Sequence, residues 1–294
     1  MRDITDKLGI PAMFNPKASK LIYGSGVIFL KAWEKTLGKN SMSGDALWKS
    51  LMFAQEFTSK NGNTIQEPDL KEYGEPNSVL YFGHQGAFWD NSRLLKQLEE
   101  HKLRPDVTII PPGTIGKEFM RTEGHYHLSN LPEVYQNAHG KNIFLLFKTK
   151  DEKGESEDIE DILAVTAEPG EIVLFPPRYQ HISINTGSEG FVMTDLVSVN
   201  ANSDFKYIKK HNGAPYWVIK GENAKPEYIR NPRYKGNVPK IRIVKPADEI
   251  PEFGLKKGKP IFSIVQEGKI SLLDFLNDSS DKYDKIYEKA FVEL

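Results

Sequence analysis

The sequence lacks cysteine, an excess of charge of either sign, and any long hydrophobic run. Without cysteine there is no disulfide framework, thiolate metal site or cysteine nucleophile, so only histidine and carboxylate side chains could hold a metal. The 39 Lys and Arg against 40 Asp and Glu leave a formal net charge of −1, which disfavours non-specific binding to nucleic acid or an acidic membrane. Apolar runs such as 27–30 are too short to cross a bilayer, and no signal-like segment opens the chain. We therefore expect a cytoplasmic protein without nucleic-acid or membrane partners.

Apolar and aromatic residues are abundant enough for a substantial core, at 39% and 11% of the 294 residues. Three regions differ in character. Residues 1–104 are predicted to form a mixed α/β extension, residues 105–234 a β domain, and residues 235–294 an extension that ends in helix. Outside the central run of strands, the individual predictions are helices over 32–39, 45–57, 91–102, 271–275 and 281–291, the last two capped by Ser271 and Asp281, and strands over 79–82, 216–219 and 241–244.

The middle region consists of short apolar or alternating runs separated by Gly, Pro, Asn or charged residues. This spacing is typical of an antiparallel sandwich or barrel, so we predict an all-β core. The acidic stretch 151–158 is predicted to be a solvated loop between two strands. The predicted strands cover 107–110, 118–121, 125–128, 133–138, 142–147, 161–166, 171–175, 181–185 and 190–199.

Four residues of this region form a candidate metal-binding set. His125 and His127 lie at positions i and i+2 of a predicted strand, so both imidazoles should project from one face while Tyr126 projects from the other. Glu133 opens the next predicted strand, which as an antiparallel neighbour would place its carboxylate roughly 5 Å from the pair. His181 must be brought alongside by a later strand.

The spacing of these residues resembles the two signature motifs of the cupin superfamily. The first is His-x-His-x5-Glu-x6-Gly over 125–140, and the second is Gly-x5-Pro-x4-His-x3-Asn over 170–185, where Arg178 occupies a usual glycine position. The resemblance implies a double-stranded β-helix, or jelly-roll barrel. Three imidazoles and one carboxylate inside such a barrel suit one divalent transition metal per chain: Fe, Mn, Ni, Co or Zn.

A longer stretch resembles the cupin-type glucose-6-phosphate isomerases known from archaea. It comprises Pro-Gly at 112–113, Gly-Lys-Glu-Phe at 116–119 and Thr-x-Gly-His-x-His at 122–127, and weaker similarity continues to Tyr234. The resemblance implies a homodimeric, metal-dependent enzyme of glycolysis and gluconeogenesis that interconverts glucose 6-phosphate and fructose 6-phosphate. It makes His125, His127, Glu133 and His181 the metal ligands, with Thr108, Thr122, Gly124 and Tyr135 around the sugar phosphate.

The sequence alone leaves several roles open. Lys117 and Arg178 are candidate charges near the barrel mouth that would bind the substrate. Glu133, Tyr135 and Glu118 are the candidate catalytic groups, because a carboxylate that binds a metal loses basicity and another base, or a direct hydride shift, could be needed.

The metal-binding pattern is also compatible with two different activities. One is that of an Fe(II) dioxygenase, because three histidines and a glutamate suit iron and oxygen chemistry. The other is sugar or sugar-phosphate binding without turnover. Val197 and Phe205 favour the binding protein, since they stand where the resembled family has aromatic hydroxyls.

Overall fold

The computed structural model describes residues 92–115 and 117–294, together with Lys7 and short strands at 2–3, 12–15, 20–23, 26–27 and 82–85. The helices predicted over 32–39 and 45–57 lie outside the described residues. The strand predicted over 79–82 is described only from Phe82 onward. In the described part of the chain, no helix is both long enough and apolar enough to cross a membrane.

Strands dominate the structure. In chain order they are β1 (Arg2–Asp3), β2 (Ala12–Asn15), β3 (Lys20–Tyr23), β4 (Gly26–Val27), β5 (Phe82–Gln85), β6 (Leu103–Ile110), β7 (Thr114–Ile115), β8 (Glu118–Phe119), β9 (Tyr126–His127), β10 (Glu133–His139), β11 (Asn142–Thr149), β12 (Ile159–Val165), β13 (Ile172–Phe175), β14 (Gln180–Asn185), β15 (Phe191–Ser198), β16 (Ser203–Asp204), β17 (Tyr216–Lys220), β18 (Pro226–Arg230), β19 (Arg242–Pro246), β20 (Glu249–Ile250), β21 (Leu255–Lys256) and β22 (Phe291–Glu293).

Helices in the described segments are short. The helix predicted over 91–102 is confirmed as α1. The α-helices are α1 (Ser92–Glu100), α2 (Lys206–His211), α3 (Ser263–Gln266) and α4 (Asp284–Tyr287), and the 3-10 helices are Glu222–Ala224, Pro251–Phe253, Ile270–Asn277 and Asp281–Tyr283.

Two five-stranded sheets form the core of the fold. The first has the order β13-β10-β15-β6-β5 and the second β14-β11-β12-β19-β22. The chain passes from the first sheet to the second after β10, returns after β12, crosses again after β13 and returns after β14. Neighbouring strands are antiparallel except β12 and β19, which are parallel. This winding between two facing sheets is a jelly-roll barrel, which confirms the predicted all-β core and cupin double-stranded β-helix.

The strands of both sheets are buried on two faces. In β10, Tyr135 joins the apolar cluster between the sheets, whereas Val134 packs outward against a cluster that includes Phe275 of the C-terminal region. The outer face of the second sheet is covered by a cluster containing Tyr207 of α2 and Val218 of β17. Each such buried side chain contributes on the order of 1.5–3 kcal/mol of hydrophobic stabilisation.

The C-terminal region differs from the predicted helices. Residues 271–275 lie within the 3-10 helix Ile270–Asn277, whose N-cap is Lys269 and not Ser271. Residues 281–291 form a 3-10 turn and the short α4, and the N-cap of that turn is Ser280 and not Asp281. The described chain ends in β22, which pairs with β19, so sheet pairing at the end of the chain prevails over local helix propensity.

Candidate metal site

Backbone pairing with β14 positions His125, the residue before β9, and with it His127 of β9. The His125 N–H donates to the His181 carbonyl at 3.2 Å, and the His181 N–H donates back to His125 at 3.1 Å. The Nε2 atoms of His125 and His127 are 3.1 Å apart, while the Tyr126 hydroxyl donates to the Glu152 carbonyl at 2.8 Å. The predicted placement of both imidazoles on one face of the strand is therefore confirmed.

Gly124 permits this close pairing. Its φ is +84°, and a Cβ there would lie 2.3 Å from Cγ1 of Ile182 and 2.7 Å from the His181 carbonyl oxygen. The left-handed region and the lack of space both require glycine. The residue that precedes the first histidine thus fixes how closely this segment approaches β14.

Glu133 reaches the histidines from the opposite sheet. The prediction that its strand is an antiparallel neighbour of the His125–His127 segment is wrong, because β10 pairs with β13 and β15, whereas β9 pairs with β16. Its Oε2 lies 3.5 Å from Nε2 of His127 and 3.4 Å from Nε2 of His181. A side chain that points into a closed barrel meets the facing sheet, which strand order in the sequence does not reveal.

The four side chains form a group that could hold a metal ion, with ligand atoms all within 4.8 Å of one another. Glu133 Oε2 and His181 Nε2 are buried without a hydrogen-bond partner in the described part of the protein. His127 Nδ1 lies 2.9 Å from the Leu131 carbonyl oxygen; when this nitrogen donates the hydrogen bond, the Nε2 lone pair is left directed at the group. These buried nitrogen and oxygen donors fit a divalent transition metal.

The histidines of this group are held neutral. Burial lowers the pKa of His127 to about 4 and holds the pKa values of His125 and His181 well below the usual value, and the neighbouring imidazoles act in the same direction on His125 and His181. A metal binds the neutral imidazole, so no proton need be displaced from these rings near neutral pH.

Glu133 lies near Tyr135 and Asp195 inside the barrel. Burial raises the pKa of Glu133 to about 7, while the neighbouring Asp195 and Tyr135 act in the opposite direction. Burial, reinforced by the neighbouring carboxylates, raises the pKa of Asp195 well above its usual range. Tyr135, a candidate catalytic residue, is therefore placed beside the candidate metal ligands, with its ring stacked on Phe175 at a centroid distance of 4.4 Å.

The sequence predictions missed three charged residues of this interior. Arg104 and Asp106 of β6 lie opposite Val197 and Asp195 of β15 in the strand register, and the Arg104 Nε and Nη2 donate to the Asp106 carboxylate at 2.8 to 3.0 Å. Their signal was the polar alternation Arg104-x-Asp106-x-Thr108, just before the predicted start of this strand at 107. For Asp195 the signal was a single charged residue within the apolar run 190–199.

The two predicted substrate-binding threonines occupy different places. Thr108 lies on β6 on the same inward face as Asp106, and its side chain is buried. Thr122 is half-buried beside β14, where its hydroxyl accepts a 3.0 Å hydrogen bond from the Ser183 N–H. Thr122 is two residues from Gly124 on the segment that carries His125.

Three other candidate residues have contacts of their own. Glu118 is buried and accepts a 2.8 Å hydrogen bond from Nε of Arg121, and burial, which outweighs this charge, raises its pKa to about 7. Lys117 is exposed. Arg178 donates to the Asp151 carbonyl at 3.3 Å and has a φ of +70°, which explains why glycine is usual at its position.

The two positions that depart from the expected hydroxyls border the site. Val197 is buried on β15 directly opposite Glu133. The Phe205 ring lies 5.6 Å from the His125 ring, measured between centroids. Neither side chain can donate a hydrogen bond to a ligand at this end of the barrel.

Comparison with known proteins places these features in a family. The family model described as glucose-6-phosphate isomerase (GPI) matches residues 74–234. The glucose-6-phosphate isomerase of Thermococcus gammatolerans is 34% identical over 129 residues, 44% of this chain and 62% of that protein. The one from Pyrococcus abyssi is 33% identical over 138 residues, 47% and 67% of the two chains. The chain therefore spans less than two thirds of the first of these relatives. A solved oxalate oxidase bound to glycolate is 16% identical with a TM-score of 0.32, covering 50% of this chain and 66% of its own.

Proposed function

Because the chain belongs to the glucose-6-phosphate isomerase family, we propose that it is a metal-dependent aldose–ketose isomerase that interconverts glucose 6-phosphate and fructose 6-phosphate. The observation that carries the proposal is the group of three histidines and Glu133, whose ligand atoms lie within 4.8 Å of one another inside the matched region. The substrate in this proposal is a phosphorylated hexose.

His125, His127, Glu133 and His181 would hold one divalent ion: Fe, Mn, Ni, Co or Zn. When bound, such an ion polarises a carbonyl and stabilises negative charge on the substrate oxygens as hydrogen moves between C1 and C2. The chain supplies the ligands from two facing sheets, so the site exists only in the folded barrel.

Glu133 and Tyr135 are the proposed groups for proton transfer. Tyr135 and Asp195 lie near the Glu133 carboxylate, and proton loss from the substrate requires a base within hydrogen-bond reach. A metal-bound Glu133 is a weak base, so a direct hydride shift is the competing route. Glu118 is a weaker candidate because its carboxylate is paired with Arg121.

Substrate recognition is proposed for Thr108, Thr122 and Gly124, whose hydroxyl and backbone N–H groups can donate to phosphate oxygens. Lys117 and Arg178 remain candidates on chemical grounds only, since Arg178 is directed to the Asp151 loop.

The proposed homodimer is checked by measuring the mass of the protein in solution.

A second candidate function is sugar-phosphate binding without turnover. Val197 and Phe205 favour it, because both lie beside the candidate metal group and neither provides a hydroxyl. Exchange of solvent deuterium into fructose 6-phosphate separates isomerisation by proton transfer from binding alone. Uptake of oxygen would instead indicate a dioxygenase.

The test is elemental analysis of the purified protein, followed by an isomerase assay with fructose 6-phosphate. We expect about one metal per chain and measurable formation of glucose 6-phosphate. His181→Ala should lose both, because it removes a ligand from a buried site. His101→Ala, at a partly exposed histidine paired with Asp274, should lose neither. Full activity in a metal-free His181→Ala protein would refute the proposal.

A further inference from the structure

Arg104 lies in the same interior as the candidate metal group. Alternate residues of β6 point outward, where Leu103, Val107 and Ile109 join the outer apolar cluster. Arg104 therefore projects inward. It stands opposite Val197, which in turn stands opposite Glu133, so the backbones of Arg104 and Glu133 are two strand spacings, roughly 10 Å, apart.

Asp106 holds the Arg104 guanidinium in place without using all of its N–H donors. Asp106 accepts from Nε and Nη2, which accounts for two of the five N–H groups of an arginine. Nη1 has no hydrogen-bond partner in the described residues, and the Arg104 side chain is 29% exposed. A fixed fork with unused donors and access to solvent is suited to a planar or tetrahedral oxyanion.

Arg104 shares the inward face of β6 with Asp106 and Thr108. Thr108 lies four residues along that face, roughly 13 Å from Arg104 along the strand. A ligand that fills the interior between β6 and β10 would therefore extend from the metal group toward this arginine.

We infer that Arg104 is a substrate-recognition residue that binds the phosphate of a phosphorylated hexose held at the metal group. The inference rests on the proposed function for the class of substrate but not for its turnover. A solely structural role, as counter-ion of Asp106, would use two donors and would leave phosphate recognition unaffected.

The experiment compares binding of fructose 6-phosphate and of fructose by calorimetry, in metal-loaded wild type and in Arg104→Gln. We expect Arg104→Gln to weaken binding of fructose 6-phosphate by about tenfold or more, the scale of a lost charge-assisted hydrogen bond, with fructose binding and metal content unchanged. Arg242→Gln is the matched control, since Arg242 is an exposed arginine in surface ion pairs.

Two further variants guard against misfolding. Arg104→Gln with Asp106→Asn removes both charges together, so no buried carboxylate is left unpaired, and Arg104→Lys keeps the charge but loses the fork. Both variants should bind fructose 6-phosphate more weakly than wild type while binding fructose equally well. The loss of affinity should be smaller in Arg104→Lys. Unchanged affinity for fructose 6-phosphate in the folded variants, or an equal loss for both sugars, overturns the inference.

The experiment distinguishes failure of this inference from failure of the proposed function. Selective, Arg104-dependent binding in a wild type that fails to isomerise fructose 6-phosphate would support the inference and refute the isomerase. Isomerisation with an unaltered KM in Arg104→Gln would support the isomerase and refute the inference.

Discussion

The close approach of the His125 segment to β14 depends on glycine at position 124. Gly124→Ala should cost more than about 2 kcal/mol of unfolding free energy, because the new Cβ meets Ile182 and the His181 carbonyl in addition to the left-handed strain. Metal content should fall with it, since His125 moves away from His181. The measurements are denaturant unfolding and elemental analysis.

Gly258 offers a control for this substitution. Its φ is +78° and a Cβ there would have no atom within 4 Å, so Gly258→Ala carries the strain without the clash and should cost only about 1–2 kcal/mol. Equal losses of stability in the two variants, with metal content retained in Gly124→Ala, would contradict the explanation from close packing.

Glu118 gives a prediction in pH. Burial raises its pKa from the ordinary 4.5 to about 7 in the folded protein. A carboxyl whose folded pKa is raised stabilises the fold fully below its unfolded pKa and loses that contribution as pH rises. Wild type should therefore lose stability relative to Glu118→Gln between pH 4.5 and 7, by up to about 3 kcal/mol. Parallel stability curves for the two proteins over this range would contradict it.

The missed residues show where sequence reasoning stops. His125, His127, Glu133 and His181 could be found because their spacing is a motif that chemistry makes recognisable. Arg104 and Asp195 could not be assigned to the site from the sequence. The residues around a charged side chain in a strand do not indicate which strand it will face. Only the register of β6, β15 and β10 brings them into the same interior as Glu133.

The strands themselves were predictable, but their surroundings were not. Runs such as 142–147 and 190–199 are confirmed as β11 and β15, because β-branched and aromatic residues between turn residues favour strands. They show little alternation, since both faces are buried, as in β15 with all eight residues buried. The covering segments come from far along the chain, and their packing, not their propensity, decides that 270–277 is a 3-10 helix.

The site lies where two sheets meet, so the arrangement of the barrel and the chemistry of the metal group are linked. Glu133 belongs to the first sheet, whereas His181 belongs to the second and holds His125 by backbone pairing. A metal bound to all four side chains would bridge the sheets and would bind the native state only. Binding of this kind raises the free energy of unfolding by mass action.

Removal of the metal should therefore destabilise the entire barrel. With free Zn(II) or Mn(II) at 100 times its dissociation constant, the bound ion contributes about 2.7 kcal/mol, and a chelator should lower the melting temperature by about 5–10 °C for a protein of this size. In His181→Ala, which cannot form the complete ligand set, the chelator should change the melting temperature by less than about 2 °C. His101→Ala should respond as wild type does. If chelator shifted wild type and His181→Ala equally, the stabilising ion would have to bind elsewhere, and the four side chains would not be its ligands.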